Sequence, residues 1–175
     1  MHSELAQRIV TDNELPEQTN GDYVLYWMAF NRRPENNFAL QVAFDKAVAL
    51  NKPLLVLETL WLDYPNSSAR FHQFVLDGMR DNEHAFRKSP VTYIGYVERD
   101  AALRERLLQK LASNACLIVT DAFPCEHMKT LIKELSTSTS VSMLAVDSNG
   151  ILPVMAPEKA FTTAYSFRRY LQKSL

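Results

Sequence analysis

The sequence predicts a Rossmann-like α/β fold, a doubly wound, five-stranded, mainly parallel sheet with helices on both faces. Three observations predict it. Apolar runs of strand length recur at residues 23–28, 53–59, 91–98, 116–121 and 141–147. Four of them are nearly continuous in Val, Ile, Leu and Met rather than alternating, as strands buried on both faces are. Helical stripes separate the runs, and strand–helix–strand repetition calls for parallel neighbours joined by right-handed crossovers.

Each element has its own warrant. The first strand runs into the polar turn "NRRPENN", where Pro34 bars helix at Arg33 and predicts a helix start near Pro34 or Glu35. Leu40, Phe44, Ala47 and Val48 then form one apolar stripe. After the second strand, residues 67–86 predict the longest helix, with Phe71, Val75 and Met79 inward and His72, Asp77 and Arg80 between them. The third strand leads to a helix with Leu103, Leu107 and Leu111 on its apolar side, Asp100 placed to cap it, and Arg104, Arg106 and Lys110 facing water. The fourth leads to Met128, Leu131, Ile132 and Leu135 at i, i+3, i+4, i+7, then to the surface turn "STSTS" at 136–140. The expected strand order is 3-2-1-4-5. Order then reverses between strands one and four, and ligands bind beyond their carboxyl ends. The crevice is therefore expected from residues 29–37 and 121–125.

The 175 residues suit one domain; 47% hydrophobic and 22% charged composition argues against disorder and against a membrane span. Residues 1–21 are polar and acidic where a secretory leader would be basic and then apolar, so a cytoplasmic location is expected. A net charge of −1 gives no electrostatic case for direct nucleic-acid binding. Glu4, Asp12, Glu14, Glu17 and Asp22 against Arg8 alone read as a solvated acidic arm. Lys159, Arg168, Arg169 and Lys173 against Glu158 make a basic end suited to a partner. Cys116 and Cys125 have no metal spacing and read as reduced and structural.

The turn after the first strand holds none of the four glycines, Gly21, Gly78, Gly95 and Gly150. That makes a G-x-G-x-x-G dinucleotide site improbable and excludes a P-loop. His2, His72, His84 and His127 are scattered and read as surface residues rather than bases or ligands. Arg32 and Arg33 beside helix-start N–H groups suit an anion; the plainer reading is a salt-bridged surface turn. Trp27, Phe30, Phe38, Trp61 and Phe123 lie at or near strand carboxyl ends, where they either stack a flat ring system or close the core. Glu58, Asp121 and Asp147 end strands there and either contact a heterocycle or cap helices.

The segments "GDYVLYWMAFNRRPENNFALQVAFDKA", "SARFHQFVLDGM", "IVTDAFP", "VDSNGILPV" and "TTAYSFRRYL" together resemble the amino-terminal α/β (antenna) domain of the DNA photolyase/cryptochrome family, most of all class II cyclobutane pyrimidine dimer photolyases. The resemblance covers roughly residues 22–171. It implies an arm over 1–21, the photolyase-type domain over 22–157, and over 158–175 the start of a linker towards an FAD-binding helical domain that is absent here. It also implies an antenna chromophore, a deazaflavin or a folate, with FAD and lesion splitting not expected on this chain. Met28, Ala29, Phe30, Arg33, Asn37, Glu58, Leu60, Asp121 and Phe123 are the implied lining: Phe30 and Phe123 stack the ring, Glu58 and Asp121 contact the heterocycle, Arg33 and Asn37 anchor a polar tail. Arg168 and Arg169 are the expected docking residues for the FAD-binding domain, through which alone DNA is met. The alternatives are a chromophore-free scaffold docking that domain, or a nucleotide-binding protein using Arg32 and Arg33 for phosphate.

Overall fold

A computed structural model of the chain describes residues 3–11, 13–64, 66–100, 102–157 and 159–174. His2, Asp12 and Glu158 lie outside these, as do the side chains of Glu4 and Arg104. The elements follow as α1 (Ser3–Ala6), β1 (Ile9–Thr11), β2 (Tyr23–Met28), α2 (Phe38–Leu50), β3 (Leu54–Leu60), α3 (Ala69–Phe86), β4 (Thr92–Val97), α4 (Ala102–Ser113), β5 (Ala115–Ala122), α5 (Glu126–Ser138), β6 (Met143–Asp147) and α6 (Ala164–Ser174).

The sheet has six strands in the order β1-β6-β5-β2-β3-β4. The five expected strands, β2 to β6, are all parallel and keep the predicted order 3-2-1-4-5. The sixth corrects the reading of the acidic arm as a solvated leader. Its residues Ile9 and Val10 pair antiparallel with Val146 and Ala145 at the β6 edge. Further on, Asn13 mimics a strand residue: its Nδ2 donates to the Val141 carbonyl and its Oδ1 accepts from the Met143 amide. Glu17 pairs with Lys46 of α2. Buried Arg8 donates to the carbonyls of Asp147 and Ile151 and lies over the Phe38 ring.

Two apolar layers sandwich the sheet. On one face Tyr26, Val56 and Val119 pack against Ala39, Val42 and Ala43 of α2 and Phe86 of α3. On the other, Leu25, Trp27, Leu57, Ile118 and Met143 meet Leu108 and Ala112 of α4 and Ile132 and Leu135 of α5. The near-continuous strand runs follow from this: alternate side chains point to opposite faces, and here both faces are covered.

Helix α2 starts later than Pro34 or Glu35. Its N-cap is Asn37, in extended backbone, whose Oδ1 accepts from the Leu40 amide. Ser148 Oγ accepts from the Ala39 amide. Two N–H groups of the actual helix start, those of Ala39 and Leu40, are thus already partnered. Asn36, at φ 51°, turns the chain into this cap. Ser68 caps α3 by accepting from the Phe71 amide.

Candidate functional site

A crevice of about 470 Å³ opens at the carboxyl ends of β2 and β3, between α3 and α5. Its floor is Trp27, fully buried, whose Nε1–H donates to Thr59 Oγ1. Ala29, Phe30, Leu60, Trp61 and Tyr64 form its sides, Phe71, Phe74 and Val75 one wall, Met128 and Leu131 the other. Such walls are what a flat apolar ring system asks for. Phe74 is 76% exposed, and Phe71, which the helical stripe with Val75 and Met79 places inward, is 48% exposed. Their exposure is explained by the open crevice they border.

Two buried polar networks hold the loop above this floor. In the first, the Tyr26 hydroxyl donates to Asp121 Oδ1 at 2.8 Å, and the amides of Phe30 and Asn31 donate to Oδ2 at 2.8 and 2.9 Å. Asn37 Nδ2 donates to the Tyr26 oxygen and to the Asn31 carbonyl. Burial pushes the Asp121 carboxyl above its ordinary range, against the pull of the amide and hydroxyl donors. Burial, and then the Asp121 charge, push the Tyr26 phenol well up. In the second network, Arg32 Nη1 pairs with Glu58 Oε1 at 3.2 Å and Nη2 donates to the Thr59 carbonyl. Asn82 and the Tyr93 hydroxyl donate to Glu58 Oε2 at 2.9 and 2.7 Å. Burial and the Glu58 hydrogen bond raise the Tyr93 pKa far above the phenol range.

Of the expected lining, the structure brings Ala29, Phe30 and Leu60 together in the crevice. Met28 is in the core under α2. Glu58 and Asp121 are fully buried and engaged as above. Arg33 and Asn37 lie on the α2 side of the loop, where Arg33 is exposed and borders a separate groove. Phe123 borders a neighbouring cavity of about 350 Å³ and stacks on Phe30 with centroids 3.4 Å apart, so the two rings face each other. Residues missing from the expected lining include Trp27, Arg32, Thr59, Trp61, Phe74 and His127. Trp27 and Trp61 stand out in sequence as strand-end aromatics; nothing local marks Phe74 or Met128 as pocket residues.

Some polar groups near the site are unspent. The Tyr64 hydroxyl and His72 Nε2 are buried without a hydrogen-bond partner, with their rings 5.7 Å apart edge to face. His72 is therefore not a plain surface residue; His84 and His127 are exposed. Cys116 is buried in the core, whereas Cys125 is exposed at the start of α5. Among the described residues no group of three or more His, Cys, Asp or Glu side chains is placed to hold a metal, and no helix is long and apolar enough to cross a membrane.

The chain is 32% identical over 171 residues to a deoxyribodipyrimidine photo-lyase of Methanothermobacter thermautotrophicus, a match covering 97% of this chain. The chain is similar to photolyases. A second photolyase relative, from Arabidopsis thaliana, is 29% identical over 143 residues, 80% of this chain. The chain spans only 38% and 28% of the lengths of these two photolyases. No protein-family model matches it. Among solved structures, a universal stress protein in complex with cAMP aligns at TM-score 0.47 and 13% identity, over 73% of this chain and 99% of that one.

Proposed function

We propose that this chain is the light-harvesting domain of a photolyase of the class II type, holding a flat antenna chromophore in the Trp27–Trp61 crevice and passing excitation to a flavin domain outside this chain. One observation carries the reading: an aromatic crevice of ligand size lies at the carboxyl ends of β2 and β3 in a chain whose sequence is photolyase-like over 97% of its length. The residues present fit such a group. Its volume lies within the roughly 300–1,000 Å³ of small-molecule sites, its walls are apolar, and few polar groups converge on it. Trp27, Phe30, Trp61 and Phe74 would pack against the ring system, and Arg32 and Thr59 would supply polar contact. A deazaflavin or a folate would supply the absorption; the protein would supply a rigid, dry mount, which the two buried networks provide.

The test is equilibrium dialysis of the full chain against a deazaflavin and against a reduced folate, followed by mass spectrometry of what is retained. Stoichiometric retention is expected, with at least tenfold weaker binding in Ala29→Trp, which fills the crevice. Arg33→Ala, outside it, should bind as the parent does. Full retention by Ala29→Trp would place the ligand elsewhere.

The expected docking residues Arg168 and Arg169 are exposed on α6, beside Tyr165, and Arg169 lies over that ring at 5.9 Å. This helix would meet the FAD-binding domain. Replacing both arginines by Glu should weaken binding to a separately produced FAD-binding domain by at least tenfold and leave chromophore retention unchanged.

A further inference from the structure

We propose that a second copy of this chain pairs with β4 edge to edge, continuing the sheet across a two-fold axis at Gly95. This is independent of what fills the crevice. The two edges of the sheet are built differently. At one, β1 is three residues long and its chain is tied down by Arg8, Asn13 and Glu17. At the other, β4 offers six residues, "TYIGYV", with no charge and no proline, in unbroken register with β3. Proteins that keep a sheet edge free blunt it with charges, proline, bulges or shortness, and β4 has none of these. Ile94 and Val97 on it are each 37% exposed.

The backbone selects one register. The Glu98 amide donates inward to the Leu60 carbonyl, so residues 92, 94, 96 and 98 turn their backbone groups to β3, and Tyr93, Gly95 and Val97 turn theirs outward. In an antiparallel pair, outward residues meet as hydrogen-bonded partners, about 5.5 Å apart at Cα. Gly95 then meets the partner's Gly95, and Tyr93 meets the partner's Val97. All three outward residues are used, and each face of the sheet continues into the same face of the partner. Ile94 falls opposite the partner's Tyr96, a β-branched–aromatic pair of the kind that stabilises sheets. Gly95 itself is explained by α3 packing, since a Cβ there would lie 3.3 Å from Met79; the register follows from the backbone alone.

Sedimentation velocity of the full chain from micromolar to hundreds of micromolar concentration tests this, with amide hydrogen exchange at both ends of the range. The expected result is a doubling of mass with concentration, accompanied by slowed exchange at Tyr93, Gly95 and Val97. Thr92, Ile94 and Tyr96, bonded inside the monomer, should be slow throughout. Val97→Pro removes only an outward donor and should stay monomeric; Ile94→Lys, which places a charge on the joined face, should weaken the dimer at least tenfold if the proline variant does not fold. A chain that is monomeric throughout, or a dimer that survives both substitutions with exchange at Tyr93, Gly95 and Val97 unchanged, overturns the proposal.

Discussion

Asp121 accepts three hydrogen bonds in a site closed to water, and this decides what its replacement does. Asn cannot accept from both sides, so Asp121→Asn should cost about 2–3 kcal/mol in urea unfolding near pH 4. The pH dependence has an unusual sign for a carboxyl group. Its folded pKa is raised, so it holds a proton that an unfolded Asp releases near about 3.9. The stability it contributes is present below that value and is lost as pH rises through the folded one. The gap between parent and variant should therefore narrow as pH rises above about 4; a widening gap would contradict the raised pKa. Arg32→Ala leaves Glu58 buried without its counter-charge and should lose about 3 kcal/mol, while Arg32→Ala with Glu58→Gln should lose less than the sum of the two. The sequence marks Glu58 and Asp121 as strand-end carboxylates. It does not show that their hydrogen-bond capacity is spent, because Asn82 and Tyr93 lie 24 and 35 residues from Glu58 and only folding makes them neighbours.

The two side-chain caps do different amounts of work at the level of elements. Ser68 only starts α3 at an exposed turn, so Ser68→Ala should cost about 1 kcal/mol. Asn37 caps α2 and also binds Tyr26 and the Asn31 carbonyl, so Asn37→Ala should cost about 2–3 kcal/mol; thermal or urea unfolding of the pair measures the difference. The same contrast explains which element boundaries could be read in advance. The α3 start falls within two residues of its expected position because Ser68 is a local signal. The α2 start was displaced past the proline because its cap is fixed by Tyr26, a contact across the loop. Strand β1 is three residues long, and only its pairing with β6 specifies it; the acidic residues around it carry the opposite message.

For the molecule as a whole, strand order was legible because two-sided burial and crossover handedness leave few arrangements for five apolar strands. The crevice was legible only in part: Ala29, Phe30 and Arg32 of the expected 29–37 border it, whereas none of 121–125 does, and only three of the expected lining residues reach it; side chains alternate across each strand, and neighbouring positions diverge to opposite faces. Chain crossings also impose close approaches. At Gly21 a Cβ would lie 2.5 Å from the Cys116 amide nitrogen. Gly21→Ala must move the arm off β5 and should destabilise by about 1–3 kcal/mol, read as a fall in Tm. A last consequence concerns Trp27 and Trp61, the chain's two tryptophans, which both border the crevice. Any occupant that absorbs in the near ultraviolet would lie close to every indole the molecule has, so its arrival would dim the intrinsic emission. A compound that does not absorb there would leave that emission alight, and the protein thereby carries its own gauge of whether an absorbing dye has arrived.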